Sequence, residues 1–540
     1  MSDDFTSNDL MRCMIRLKGR AERLAPEQVV ESFSTVGPLL DSISTEDHQI
    51  IFGRRGTGKT HALRYLYTTR NEDGDCALFI DMRNLGSDGS IYNDNSLPIT
   101  DRATRLLIDT LAFIQDGFLD YAFANSATNL TELTSPIDRL GDAISRVRVT
   151  GEVTTTEEEK TSSSQSAKIG FFAKLLSGGA QAGAEASKGS TSQIDSVYSR
   201  KSSGTEGLYI RFPELVGALR DVVNVLPARR VWVVLDEWSA IPSDLQPLLA
   251  DMLRRAFFTI PQITVKIGAI EHRARFISDS SSSDYTGFEL TSDIRSNVRL
   301  DDYLLFDNNQ EASLGFFKEF LFRHIKSYCK ENEIPGPDSA DEVYRKAFNQ
   351  KTSFEEFVKA VEGVPRDALH IASICGQKSL DGLIDIPNVR ASSHRYYQED
   401  KSSQVDEYPA LRDLLVFIVD NAIRKKRTNA FLLSAGTRDD YVDALFDRRL
   451  VHIRQRNVSS RDNPGARYYH YKIDYGCYVD LIATKQMPQE QKFDDEIAIE
   501  AIAEGIDVPT EDDARSYRRS ILDLDTFYAT YPQYKPEGKS

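Results

Sequence analysis

The sequence predicts an α/β fold in which a parallel sheet carries helices on both faces. Three observations predict it. The stretch IIFGRRGTGKTHALRYLY (50–67) runs from a short apolar strand through a glycine-rich loop into a helix. DCALFIDMR (75–83), VWVVL (231–235) and ITVKIGAIE (263–271) are apolar runs with polar ends, the pattern of strands covered on both sides. Helical patterns alternate with these strands, as in a doubly wound sheet.

Residues 1–44 are expected as an N-terminal helical segment and residues 45–300 as the sheet-bearing core. Within the core, Gly53, Arg54, Arg55, Gly56, Thr57, Gly58, Lys59 and Thr60 fit G-x-x-x-x-G-K-[ST] without a departure. Glycines let successive N–H groups turn inward around a phosphate. Lys59 reaches the β and γ oxygens, and the Thr60 hydroxyl ligates Mg2+. The helix that follows presents its positive N-terminus to the same anion. These eight residues and His61 are the expected nucleotide contacts of a P-loop NTPase core.

Such a loop needs a carboxylate on a neighbouring strand. VWVVL ends in Asp236-Glu237, so Asp236 is expected to hold Mg2+ and Glu237 to orient and deprotonate the attacking water. A strand followed by an acidic helix cap is the plainer alternative, weakened by the intact loop. In SDLQPLLADMLRRAFF (243–258), Ser243 with Gln246 reads as a capping box. Leu245, Leu248, Leu249, Met252 and Leu253 form one helical face there.

The interval between Lys59 and Asp236 is long for such a core, and composition explains it. Of the 55 residues at 151–205, 25 are Gly, Ser or Thr. That content buries little, so an insertion is expected at about 125–206. KIGFFAKLL (168–176) within it is amphipathic, and SQIDSVYSR (192–200) suits a hairpin. LSGGAQ (176–181) looks like the signature of ABC-type ATPases. Trp238 follows Glu237 where those proteins carry Pro, and low-complexity sequence makes such matches cheaply.

Residues 301–400 are expected as a helical lid. SLGFFKEFLFRHIKSYCKE (313–331) places Phe316, Phe317, Phe320, Leu321, Ile325 and Tyr328 on one stripe. A helix starting at GVPRDAL (363–369) aims Arg366 back at the phosphates. A cation gains nothing from a helix start, and that misfit marks it. The alternative is a solvated surface arginine.

Residues 401–486 carry two amphipathic helices, LRDLLVFIVDNAIRKK (411–426) and RDDYVDALFDRRL (438–450), the second with Tyr441, Val442, Leu445 and Phe446 inward. VHIRQRNV (451–458) and RYYHYKI (467–473) alternate as strands around the turn RDNPG (461–465). Between 421 and 472 there are 12 Lys and Arg against 5 Asp, inside a chain of net charge −16. Residues 487–540 are an acidic tail, expected as a solvated appendage.

Hydrophobic content of 40% and charged content of 27% suit an ordinary globular protein. No run of 18 apolar residues is present, and MSDDFTSNDLMRC is too acidic for a secretory signal. Cys13, Cys76, Cys329, Cys375 and Cys477 are widely spaced, which indicates neither a disulfide framework nor a zinc site. A cytoplasmic location is expected.

The order of the Gly53–Thr60 loop, Asp236-Glu237, a strand ending in GAIEHR and then GVPRDAL resembles AAA+ ATPases, above all the initiator (origin-recognition)-like and STAND-like branches. The resemblance spans about residues 45–380, with the insertion unmatched. It implies bound ATP and Mg2+, with Arg366 as the lid arginine that reads the γ-phosphate. The strand-end sensor falls at Glu271 or His272, where the family carries Asn, Thr or Arg. The family also uses an arginine from a neighbouring subunit of a homo-oligomer, for which Arg254, Arg255, Arg273 and Arg275 are candidates. Residues 401–486 resemble the winged-helix domain of initiator-type members, which implies double-stranded DNA or a protein partner. Arg448, Arg449, Arg454, Arg456, Arg461 and Arg467 are the candidate phosphate contacts.

The expected function is thus an ATP-binding and ATP-hydrolysing switch that couples nucleotide state to DNA or protein binding, in replication, a mobile element or defence. The alternatives are a nucleotide-sensing scaffold with negligible hydrolysis and a DNA-binding regulator with a structural P-loop. No N/T-K-x-D guanine-reading motif is present, which disfavours GTP.

Overall fold

The computed structural model describes residues 5–17, 19–35, 37–85, 92, 94–145, 147–150, 205–208, 210–278, 285–304, 310–424, 428–459, 465–486, 502–506 and 520–536. KIGFFAKLL, LSGGAQ, SQIDSVYSR, Arg461 and most of the acidic tail lie outside these residues.

Ten strands are described: β1 Gln49–Phe52, β2 Cys76–Asp81, β3 Val147–Thr150, β4 Thr205–Leu208, β5 Val231–Asp236, β6 Ile263–Ala269, β7 Arg295–Arg299, β8 Ala430–Ser434, β9 Val451–Ser459 and β10 Arg467–Ile473. Five of them form a parallel sheet in the order β2-β5-β6-β1-β7. Every position of β5 and β6 is buried, and the polar Thr264 and Lys266 of β6 are met there by Glu46 O (2.8 Å) and Gln49 Oε1 (2.9 Å). β7 is the edge strand that hydrophobicity does not announce: in RSNVR only Val298 is apolar.

Alternate strand residues feed two cores. Ile50, Leu78, Ile80, Val233, Leu235, Val265 and Ile267 face the helices Ile99–Ala124, Phe212–Val225 and Gln246–Phe257. Ile51, Ala77, Trp232 and Val234 face Ala62, Leu63 and Leu66 of the Lys59–Glu72 helix. Each such aliphatic side chain contributes roughly 1.5–3 kcal/mol when fully buried. The chain is therefore α/β, with a parallel sheet of the kind that holds a P-loop.

Three expectations change. Leu130–Ile144 falls within the expected insertion, yet it is a core helix that buries Leu133, Ile137, Leu140 and Ile144. The helix after β5 starts at Gln246, not at a Ser243 cap, because the Gln246 amide is buried and bridges Ile241 O (2.8 Å) and the Arg275 N–H (2.6 Å). The tail is docked where it is described. Leu432 N donates to Ser520 O (2.7 Å) and Leu522 N to Leu432 O (2.8 Å), adding a bridge beside β8. Phe527 is fully buried against Phe417.

A helical body follows the sheet, with Gln310–Glu331, Ala340–Ala347, Lys351–Ala360, Pro365–Lys378 and Ile386–Tyr396. The N-terminal helix Ser7–Ile15, capped by Thr6 and Asp9, belongs to this body. Its Leu10, Met11 and Met14 are buried, and Ser373 donates to Ile15 O (3.1 Å). The antiparallel sheet β8-β10-β9, with helix Asp440–Asp447 between β8 and β9, shares one continuous core with the body. Among the described residues no helix is long and apolar enough to cross a membrane.

Candidate functional site

The phosphate loop joins the carboxyl end of β1 to the Lys59–Glu72 helix. Gly56 and Gly58 have φ of 88° and 93°, which glycine adopts without strain. Lys59 is buried, and Nζ donates to Gly53 O (2.7 Å) and Arg54 O (2.9 Å). Burial pulls its pKa down, against the pull of Asp236, Glu237 and Asp301. Thr57 Oγ1 donates to Arg54 O (2.9 Å), closing the turn.

Asp236 ends β5, two strands away from the loop. The Thr60 hydroxyl donates to Asp236 Oδ2 (2.7 Å), and the Glu237 N–H donates to Asp236 Oδ1 (2.9 Å). Burial pushes the Asp236 carboxyl up to about 6, with Thr60 and Lys59 pulling the other way. Its proton is therefore held more tightly in the folded chain than in the unfolded one. The stability this confers is complete below about 3.8 and lost as pH rises through about 6. Melting of the chain beside Asp236→Asn between pH 4 and 7 checks it: the stability of the parent relative to the variant should fall as pH rises through about 6, and a constant difference rejects it.

Gly268 on β6 faces the same pair. A Cβ there would stand 2.7 Å from Leu63 Cδ1 and 2.8 Å from Asp236 Oδ1. Gly268→Ala is expected to cost about 1–3 kcal/mol of stability. Thermal melting of the variant measures it.

Lys59, Thr60, Asp236 and Glu237 meet beside a cleft of ≈ 360 Å³. Arg55, Gly56, Gly58, Lys59, Thr60 and His61 line it, as do Glu237 and Arg366. Arg366 opens the Pro365–Lys378 helix, and its N–H donates to Gly56 O (3.1 Å), tying that helix to the loop. Burial and the like charge of Arg449 lower its pKa, and Nε is buried with no hydrogen-bond partner among the described residues. Two desolvated cations and an orphan donor beside one cleft fit an anionic ligand.

Residues 18–70 match a family model described as ORC-CDC6-like.

The match covers the cleft-lining N-terminal stretch, β1, the loop and most of the Lys59–Glu72 helix, and supports a relationship to origin-recognition/CDC6-like AAA+ proteins. No curated protein matches the chain. The matched stretch includes wall residues that the loop motif does not reveal: Arg20, Glu22 and Leu24. Phe320, His324 and Leu369 complete the lining, His324 with its ring 5.9 Å from that of His61. Nothing local in their sequence marks them, since tertiary packing alone brings them in.

Several candidates face elsewhere. The Arg54 side chain leaves the cleft: Nε donates to Asp301 Oδ1 (2.5 Å) and Nη1 to His452 Nδ1 (2.8 Å), under the Phe446 ring at 4.7 Å. Arginine only donates, so His452 Nδ1 accepts and Nε2 carries the proton given to Asp474 Oδ1 (3.2 Å). Burial holds His452 neutral, its pKa down at about 3. Asp474 then binds Lys401 (2.6 Å), Lys401 binds Asp367 (2.9 Å), and Asp367 also binds Arg449 and the Tyr396 hydroxyl (3.0 Å). Asp367 is the neighbour of Arg366, so this buried chain runs from the phosphate loop through the C-terminal sheet to the Pro365–Lys378 helix.

Glu271 and His272 also turn away, Glu271 to Arg299 (3.2 Å) and Arg456 (2.9 Å), His272 to Asp443 (3.4 Å). Of the neighbour-directed arginines, Arg254 and Arg255 each pair with Asp251 (2.7 Å), while Arg273 lines the cleft and pairs with Asp447. Arg275 is exposed. The expected phosphate contacts Arg449 and Arg454 are buried, Arg449 against Asp367 of the helical body, and Arg456 is spent on Glu271 just after β6. Arg467 is exposed, and Arg448 is half-buried over the Tyr408 ring at 4.7 Å.

Proposed function

We propose that the chain is a nucleotide switch that binds Mg-ATP in this cleft, hydrolyses it, and passes its nucleotide state to the C-terminal unit. One observation carries the reading: the Thr60 hydroxyl meets Asp236 at 2.7 Å at the mouth of a cleft that Lys59, Glu237 and the under-satisfied Arg366 also line. When bound, Mg2+ neutralises charge on the phosphate oxygens. Thr60 and Asp236 would hold it. The loop amides cradle the phosphates, and Lys59 exchanges its loop carbonyls for phosphate oxygens. Glu237 orients the attacking water and takes its proton, and Arg366 balances charge from the lid.

The β8-β10-β9 sheet with its helices supports the winged-helix reading, and the ORC-CDC6-like match supports an initiator-like class. Contact with DNA would then fall to the outward Arg467 and Arg448 and to Arg461. The test is steady-state Mg-ATP turnover by the full chain, with and without duplex DNA, beside Lys59→Ala. Turnover that Lys59→Ala abolishes supports the site, and stimulation by duplex supports DNA as the output. A rate that survives Lys59→Ala rejects the site.

The scaffold reading, with negligible hydrolysis, is favoured by one observation. Glu271 and His272, at the strand end where the resemblance puts a γ-phosphate sensor, are held by Arg299, Arg456 and Asp443.

A further inference from the structure

Two cysteines that lie far apart in sequence meet in the fold. Cys13 on Ser7–Ile15 and Cys329 near the end of Gln310–Glu331 place their sulfurs 3.7 Å apart, both buried. A cavity of ≈ 560 Å³ adjoins Cys13, lined by Arg12, Arg16, Tyr328 and Pro335 among others, and gives a small oxidant a way in. Gly336 backs Cys329, where a Cβ would stand 3.0 Å from Cys329 Cβ.

We propose that Cys13 and Cys329 form a modification site, a reversible disulfide that fastens the N-terminal helix to the long helix of the body. The oxidant is a hydroperoxide, here hydrogen peroxide. One thiolate attacks a peroxide oxygen, the O–O bond breaks, water leaves, and that sulfur becomes a sulfenic acid. The second sulfur then attacks the first, the S–S bond forms, the S–O bond breaks, and a second water leaves with the remaining proton. Two thiols and one hydrogen peroxide thus give one disulfide and two waters, with two electrons passed from sulfur to oxygen. Sulfurs in contact need only small side-chain rotations to close to about 2.05 Å. In a reducing compartment such a bond is transient and therefore fit for signalling.

Both elements continue into the cleft. The chain after Cys13 supplies Arg20, Glu22 and Leu24, and the helix of Cys329 supplies Phe320 and His324. Resting on the nucleotide reading above, the bond sets the spacing of two cleft walls and slows nucleotide release.

The full chain is treated with stoichiometric hydrogen peroxide and mapped by non-reducing peptide mass spectrometry. A Cys13–Cys329 peptide pair two hydrogens lighter, reversed by a thiol reductant, is expected, with Cys76, Cys375 and Cys477 still alkylatable. The melting temperature should rise on oxidation, because the link spans 316 residues of chain, and should not rise in Cys13→Ser or Cys329→Ser. Cys13 and Cys329 that remain alkylatable after peroxide overturn the proposal, and mapping of the unsubstituted chain decides this even if a variant misfolds. Release of a fluorescent ADP should slow about tenfold on oxidation. A linked protein with unchanged release overturns the coupling alone. A linked protein that binds no nucleotide in either state overturns the nucleotide reading and leaves the disulfide standing.

Discussion

Glu237→Gln is expected to leave ATP bound and to cut its turnover by about 10²–10⁴-fold, the contribution ordinary for a positioned general base. Glu237 stands at φ 56°, ψ 40°, a left-handed conformation that a residue with a Cβ adopts only at a cost. Such strain is of order 1–3 kcal/mol and persists where the surroundings enforce it. Here the Glu237 N–H is fixed to Asp236 Oδ1 and the side chain lines the cleft. Glutamine keeps the shape and the backbone anchor but takes no proton, so binding and chemistry separate. Single-turnover hydrolysis beside equilibrium ATP binding reads the two. Equal, measurable rates in the variant and the parent would remove Glu237 as the base, and equally negligible rates would turn the choice towards the scaffold.

Asp367→Ala should be the most damaging substitution for stability. Its carboxylate is fully buried between Lys401, Arg449 and the Tyr396 hydroxyl. Burial pushes the Asp367 pKa up, and Arg449 and Lys401 outweigh it and hold the carboxyl below its ordinary range. Deleting it leaves Lys401 with Asp474 alone and Arg449 with Asp400 (3.1 Å), so two positive charges keep one carboxylate each, a loss of about 3–5 kcal/mol for a broken buried pair. Because the network continues through Asp474 and His452 to Arg54, the damage should reach the phosphate loop. Calorimetric melting of Asp367→Ala against Asp367→Ala/Arg449→Leu, with Lys401 left on Asp474, tests the cause. Recovery in the double variant identifies uncompensated charge as the source, and a further drop assigns it to lost packing.

The phosphate loop, β5 and the Asp236-Glu237 pair were legible in the sequence because each rests on local chemistry: glycine freedom, an apolar run, a carboxylate at a strand end. β7 was not, since an edge strand with one apolar residue has no periodicity to announce it. The basic segment 421–472 was misleading for a related reason. Charge counts carry no direction, and Arg449, Arg454 and Arg456 point inward to a neighbour that exists only in the folded chain. Arg54 sits inside the motif that predicts phosphate contact, yet its partners Asp301 and His452 lie hundreds of residues away. The cleft wall at Arg20, Glu22 and Leu24 was hidden likewise, because nothing in those residues points to the loop they cover.

The docking of Ser7–Ile15 on the body has a consequence for synthesis. Its partners, among them Ser373, are encoded 358 residues later. At typical elongation rates of about 5–20 residues per second, roughly 20–70 s pass before that partner leaves the ribosome. Through this interval Leu10, Met11 and Met14 have no native surface to cover them. A nascent chain stalled before the Pro365–Lys378 helix should expose this helix to chaperones or proteases, and one stalled well beyond it should not.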